Sequence, residues 1–390
     1  MVEGENNGDA MQSFDVIVIG IGGMGSAALW QLARRGQRVL GIERFDLGHG
    51  MGSSHGFNRI IRLSYFEHPN YVPLLRRAYE LWRETERLAG EQLLFITGSL
   101  DAGREGGRVF SGSLAACRQH GLPHEVLTSA EITGRFPGYR LPGDYAAVWQ
   151  PEGGFVASER AILAHAAMAI EAGAEIHGRE RVLGIEPASG RVTVVTEKGR
   201  YEAGRVIASA GAWIGDLIPG LAGKAVAERQ VLGWFQPKRP ELFAPGVFPV
   251  SNLLSDIGQF YQFPMWGLPG FKIGRYNHLR EHGHADALSR EPDAADEEAL
   301  RAAIRAFFPD ADGPTLRLAT CMFTNTPDEH FVIDTLPGYP EVVVASPCSG
   351  HGFKFTSVIG EILADLAITG SSAQDLSLFR YGRHELSPAD

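Results

Sequence analysis

The glycines of one turn constrain this chain more than any other feature. Phe14-Asp15-Val16-Ile17-Val18-Ile19 runs into Gly20-Ile21-Gly22-Gly23-Met24-Gly25, a G-x-G-x-x-G pattern. Val16 to Ile19 is an apolar run of strand length. Small and apolar residues then recur at helical spacing through Leu32, and a second strand-like run, Arg38 to Ile42, ends on Glu43. Strand, turn, helix, strand and terminal acid make a βαβ unit with a dinucleotide fingerprint. Gly20 allows the tight turn, Gly22 lets the main chain approach a pyrophosphate, and Gly25 lets the helix pack on the strand. Unpaired N–H groups at the helix start, with the helix dipole, favour phosphate. Glu43, 23 residues after Gly20, is placed to accept hydrogen bonds from ribose hydroxyls. An acid there argues against a 2′-phosphate, and so against NADP. FAD and NAD both stay open.

A chain of 390 residues exceeds one compact core, so two domains are expected. A net charge of −10 argues against non-specific binding to nucleic acid or anionic membrane. Cys117, Cys321 and Cys348 form neither a disulfide framework nor a metal-ligand spacing. They fit a reducing, cytoplasmic setting, and no metal is expected. Residues 1–11 are expected to form a disordered tail. Met1 to Ala10 carry acids but no lysine or arginine, unlike a signal peptide. The apolar run after them is broken by Asp15 and glycines, so it is not a membrane span. Ser387 to Asp390 carry no peroxisomal address.

Apolar spacing predicts a helix from Tyr71 to about Ala89 and a strand pair from Leu93 to Ala102. Ser111 to His120 reads as helical, and Thr128 opens another helix. Ser158 is expected to cap a helix over Glu159 to Ala172. Strands follow at Ala174 to His177 and Arg191 to Thr196. Tyr201 to Trp213 then reads as strand, small-residue turn and helix, a second βα approach to a nucleotide. Pro249, Pro264 and Pro269 divide an aromatic, β-branched region into short strands. A helix covers Glu291 to Phe308. A buried strand, Val342 to Ala345, leads through Ser349-Gly350-His351-Gly352 into a helix from Ser357 to Leu366. The expected fold is α/β: a Rossmann-like FAD-binding domain built from separated segments, plus a mixed-sheet substrate domain. Residues 12–90, 146–220 and 321–385 are assigned to the first, and 91–145 and 221–320 to the second.

Three clusters carry candidate chemistry. In Gly52-Ser53-Ser54-His55-Gly56-Phe57-Asn58-Arg59-Ile60-Ile61-Arg62, two arginines three apart follow a glycine-rich loop. Arginine is the usual bidentate partner of a carboxylate, although surface salt bridges would also explain the pair. In Arg317 to Asp334, Cys321 stands alone, and a lone cysteine is usually packing. In Ser349-Gly350-His351-Gly352-Phe353-Lys354-Phe355, a lysine lies among phenylalanines. It needs a partner there, either a substrate carboxylate or a structural ion pair.

Taken together, these clusters resemble the monomeric sarcosine oxidase and N-methyltryptophan oxidase family of flavoproteins, whose fold is like that of D-amino-acid oxidase. The resemblance spans about Phe14 to Arg380. GSSHG…RIIR, CMFTNTPDEHFVID and SGHGFKF carry it more specifically than the glycines do. It implies FAD linked through its 8α-methyl carbon to a cysteine sulfur, here Cys321. It implies His55 and Arg59 close to the flavin, and Arg62 with Lys354 gripping a substrate carboxylate. Lys272 matches a lysine that reaches flavin N5 through water and promotes oxygen reduction. Tyr261 matches a tyrosine lining the substrate cavity, where His351 and Tyr276 are also expected. Cofactor contacts are expected at Gly20, Gly22, Gly25, Glu43, Arg44, Ser53, Ser54, Val182, Cys321, Gly350, Gly352 and Phe353.

The chain departs from the family pattern at Phe57-Asn58, Phe323, Tyr276 and Pro347-Cys348. The flavin linkage and carboxylate grip survive these changes, while the amine end differs in shape and polarity. The function implied is oxidation of a secondary amine, of the N-methyl amino acid type, by a monomer that uses O2. An imine forms and hydrolyses to formaldehyde and a primary amine, and O2 becomes H2O2. The alternatives are a bulkier, cyclic or sugar-derived amine, a weakly active flavin-binding subunit, and an NAD dehydrogenase.

Overall fold

In the computed structural model, residues 12–383 are described; the tail expected over residues 1–11 lies outside them. The first strand, Ser13–Ile19, pairs in parallel with Val39–Ile42 on one side and Arg200–Ala208 on the other. Glu175–His177 extends the sheet beyond Val39–Ile42, and Tyr339–Ser346 extends it beyond Arg200–Ala208, both in parallel. Val16 to Ile19 and Val342 to Ala345 are buried on both faces, which explains their unbroken apolar runs. Antiparallel strands Val182–Ala188, Arg191–Thr196 and Val332–Leu336 complete this eight-stranded sheet.

The helix after the glycine turn, Gly23–Ala33, packs between Ser158–Glu171 and Thr356–Thr369. A Cβ on Gly360 would lie 2.6 Å from the Ala27 methyl, so the crossing is close because both positions are small. Ser158 does not cap its helix. It is the first helical residue, and its hydroxyl donates to the Glu159 carboxylate at 2.6 Å. Thr128 does cap, in a reciprocal box with Glu131. The second βα approach is shorter than its sequence suggests. After Ala208 come one 3₁₀ turn, Gly211–Trp213, and one α turn, Ile214–Leu217.

A nine-stranded sheet holds the other core. Val226–Phe235 is its long strand and pairs with Thr315–Asn325, Phe271–Arg275 and His282–Gly283. Val250–Ser255, Gly258–Phe263, Ser99–Arg104, Tyr145–Gln150 and Glu125–Thr128 complete it. Ala294–Phe307 covers it with Leu300, Ala303, Ile304 and Phe307. The crossings expected at 146 and 321 fall inside strands of this sheet: Tyr145–Gln150 pairs with Ser99–Arg104, and Cys321 lies within Thr315–Asn325. A small sheet of Asn58–Ile61, Gly154–Ala157 and Leu94–Ile96 lies between the larger two in sequence.

The glycine turn sets a stability test. A Cβ on Gly25 would lie 1.8 Å from the Gly20 carbonyl oxygen, a backbone atom with nowhere to go. Gly25→Ala should cost about 3 kcal/mol or more. Gly143→Ala, where nothing lies within 4 Å, should stay within about 0.5 kcal/mol of the parent chain. Urea denaturation of both variants checks the contrast.

Candidate active site

The turn is built for close approach of backbone. Gly20 has φ +86°, and a Cβ there would meet the Ser209 carbonyl oxygen at 2.6 Å. At Gly22 the nearest atom would be Ser54 Oγ at 3.8 Å, so this face of the turn is open. It opens onto a long cavity. The Gly23 N–H donates to Ser54 Oγ at 3.4 Å. Glu43 also braces the turn. Its Oε2 accepts from the Ile21 N–H at 2.8 Å and its Oε1 from the Phe45 N–H at 3.0 Å. That duty is additional to the expected ribose contact.

From this turn the cavity runs past Glu43, Arg44, Ser53, Ser54 and Val182, then past Arg59 and Cys321. It ends among Arg62, Tyr261, Tyr276, His351 and Lys354, with Gly350, Gly352 and Phe353 in its wall. Three expected site residues stand outside that wall. Gly25 is helix packing. His55 is buried, and its carbonyl accepts from Arg59. Lys272 is buried against Gly56 and Asn58.

The residues fit a dinucleotide with a ring at its far end. The open glycine face suits a diphosphate. Ser53 Oγ, in the cavity wall, is buried without a hydrogen-bond partner. Cys321 Sγ lies 3.5 Å from Arg59 Nη2, on a strand paired along its length with Val226–Phe235. Besides Cys321 Sγ, Arg59 meets backbone carbonyls: Nη2 donates to Ser53 and His55, and Nη1 to Asn58. Its charge therefore remains available to a neighbour.

Lys272 Nζ meets three acceptors: the Gly56 carbonyl at 2.8 Å, the Asn58 carbonyl at 2.8 Å and Asn58 Oδ1 at 2.7 Å. Burial and then Arg59 push its pKa well down, while three acceptors match the three protons of an ammonium. The loop that carries them is pinned by a residue the sequence reading missed. Glu159 accepts from the Gly56 N–H at 2.6 Å and from the Phe57 N–H at 2.9 Å. Phe57 has φ +75°, a strained conformation for a bulky residue, and this carboxylate holds it there.

At the far end, Lys354 Nζ donates to the His351 carbonyl at 2.7 Å and lies 5.1 Å from the Tyr65 ring centroid. Burial first, then Arg62, brings its pKa down to about 7. Tyr65 Oη lies 2.6 Å from His351 Nδ1, and His351 Nε2 lies 2.9 Å from the Glu329 carbonyl. A carbonyl can only accept, so Nε2 carries a proton; burial lowers the ring's pKa to about 4, which leaves Nδ1 bare at neutral pH to accept from the Tyr65 hydroxyl. Tyr276 Oη donates to the Ser349 carbonyl at 2.7 Å, and its ring packs on Phe323 at 5.1 Å. A Cβ on Gly350 would meet both rings within 2.7 Å, so the glycine makes room for this aromatic pair. Arg62 is fully buried and ion-paired with Asp101 and Glu67. Neither acid, nor Asn252 and Gln259 in the same wall, was picked out from the sequence. The available signal was Asp101 itself, a charge in a strand between Leu100 and Ala102.

Buried histidines give a pH test. His55, His165 and His351 each have a pKa of about 4, chiefly through burial. An unfolded histidine titrates near 6.5, at about 1.4 kcal/mol per pH unit for each proton difference. Between these values the unfolded state binds protons that the folded state refuses. Stability is therefore held at neutral pH and lost as pH falls from about 6.5 towards 4. Urea denaturation across that window should show the decline, and a flat profile contradicts it.

The chain matches the family of FAD dependent oxidoreductases over residues 15–366. It is 41% identical to the monomeric sarcosine oxidase of Streptomyces avermitilis, covering 97% of this chain and 99% of that protein. It is 35% identical to the N-methyl-L-tryptophan oxidase of Yersinia pestis, covering 95% and 99%. Among solved structures, NikD, described as an unusual amino acid oxidase essential for nikkomycin biosynthesis, superposes with a TM-score of 0.80 at 28% identity, covering 97% and 98%. Glycine turn, cavity and ring-end charges thus occur in a chain that belongs to the FAD-dependent oxidoreductase family, as an amine oxidase.

Proposed function

We propose that this chain oxidises N-methyl amino acids, with FAD attached through Cys321. The observation that carries the reading is one cavity holding three features. These are the dinucleotide turn, Cys321 beside the Arg59 guanidinium, and Arg62 with Lys354 at the far end. Relatives named as oxidases of sarcosine and N-methyl-L-tryptophan support the substrate class. Bound FAD supplies a two-electron acceptor that O2 can reoxidise to give H2O2.

The protein's own part is placement and charge. Arg62 and Lys354 hold the substrate carboxylate, which orients the amine end towards Cys321 and Arg59. Tyr261, Tyr276 and His351 shape the wall around it. Cationic groups about the cavity favour loss of the amine proton, so the substrate binds neutral. Arg59 and Lys272 provide fixed positive charge where negative charge develops. The imine product hydrolyses in water to formaldehyde and the primary amine. We read the chain as a cytoplasmic monomer that needs no other subunit. The three cysteines are free, and among the described residues no helix is long and apolar enough to cross a membrane.

Three measurements test this reading. Purified protein precipitated with acid should keep its yellow colour, and Cys321→Ala should release the colour into the supernatant. A panel of N-methyl amino acids should yield peroxide; silence across the panel would sink the substrate class. Lys272→Met should slow reoxidation by air about 10²–10³-fold while substrate still bleaches the flavin.

A further inference from the structure

Asp101 is a fully buried carboxylate in the strand Ser99–Arg104. Four donors converge on it. Arg62 Nε and Asn252 Nδ2 reach Oδ1 at 3.1 and 2.8 Å, and the Ser64 and Ser113 hydroxyls reach Oδ2 at 2.8 Å each. Glu67 accepts from Arg62 Nη2 at 2.9 Å. The Tyr65 and Phe66 rings lie 4.7 and 4.5 Å from the guanidinium carbon. Arg62 is therefore gripped at two of its nitrogens and flanked by rings. Its third nitrogen, Nη1, is buried and has no hydrogen-bond partner.

This arrangement changes what Arg62 offers a ligand. The edge formed by Nε and Nη2, one of the two that bind a carboxylate bidentately, is already taken. The charge is also balanced. Arg62 and Lys354 face Glu67 and Asp101, so the four groups sum to zero even with Lys354 protonated. A pKa of about 7 for Lys354 means that part of its charge is missing at neutral pH. The two buried counter-charges thus offset a cation pair that would otherwise favour an anionic ligand strongly over a neutral one.

We propose that Asp101 is a specificity-determining positioning residue. It occupies Nε of Arg62 and offsets the guanidinium charge, so that the cavity discriminates only weakly between a carboxylate and a neutral polar group at that end of the substrate. The substrate class widens accordingly, from N-methyl amino acids to their carboxylate-free counterparts such as amides. The inference rests on the proposed oxidase reading for its substrates, but not for its binding arm.

The test is Asp101→Asn, which preserves shape and removes the charge. The readout is the ratio of kcat/KM for N-methylalanine to that for N-methylalaninamide at pH 6, where Lys354 is more fully charged. The ratio should rise at least about tenfold in the variant, through KM for the acid, with kcat little changed. A merely structural role would lower both substrates together and leave the ratio where it was; that result overturns the proposal. A binding arm uses propionate and propionamide, followed by the shift in the flavin spectrum. Propionate should bind about tenfold tighter to the variant and propionamide should not. If neither N-methyl substrate turns over but propionate binds tighter, the substrate reading fails and the role of Asp101 stands. If Asp101→Asn does not fold, Glu67→Gln removes the other counter-charge from a half-buried loop and should move both readouts the same way. Unchanged ratios and affinities in that variant would equally overturn the proposal.

Discussion

The contact between Gly25 and the Gly20 carbonyl governs much of this molecule. The helix Gly23–Ala33 can begin so close to the end of the strand Ser13–Ile19 only because no side chain separates them. That closeness leaves the Gly22 face open, at the helix start, where the cavity is lined by Gly20 to Met24. Glu43, at the end of the neighbouring strand, reaches back to the Ile21 N–H and fixes the turn from the other side. Backbone geometry, rather than any charged side chain, thus defines the diphosphate end of the cavity.

The opposite end follows another rule. Lys272, Arg62 and Lys354 are all buried, and each is met differently. Lys272 has carbonyl and amide oxygens, Lys354 a carbonyl and aromatic faces, and Arg62 two carboxylates. An ion met by neutral dipoles keeps its outward field, whereas an ion met by a carboxylate loses most of it. Arg59, surrounded by carbonyls, belongs with the lysines. Beside Cys321 the two cations are opposed by Glu159, which bonds to backbone N–H groups rather than to either cation, whereas Arg62 is ion-paired directly with two carboxylates.

The sequence revealed the elements whose signal is local. The βαβ unit, the Tyr71–Ala89 helix, the helix start at Thr128 and the strands between prolines all depend on neighbours in sequence, and the structure has each of them. The stretches of the resemblance led to Cys321, Arg59, Arg62 and Lys354, which do line one cavity. What stayed hidden were partners brought together by the fold. Glu159 meets the Gly56 and Phe57 amides across 103 and 102 residues, and Asp101 meets Arg62 across 39. No spacing rule links such residues. A carboxylate in the strand Ser99–Arg104, or at the start of a helix, reads as ordinary until its neighbours are known. Ser158 shows the converse: a good capping residue sat one position too late, and its hydroxyl went to Glu159 instead.

The parallel sheet has a consequence for how the protein is made. Its strand Arg200–Ala208 needs Val342 to Val344 as a neighbour, and Arg35, at the end of the first helix, pairs with Asp365, 330 residues later. At roughly 5–20 residues per second, a ribosome delivers that partner about 15–65 seconds after the glycine turn has emerged. During that interval the turn and its helix have one flank uncovered, and their apolar faces depend on chaperones or on partial packing. The nucleotide cleft is therefore completed only after a segment about 330 residues downstream has been made.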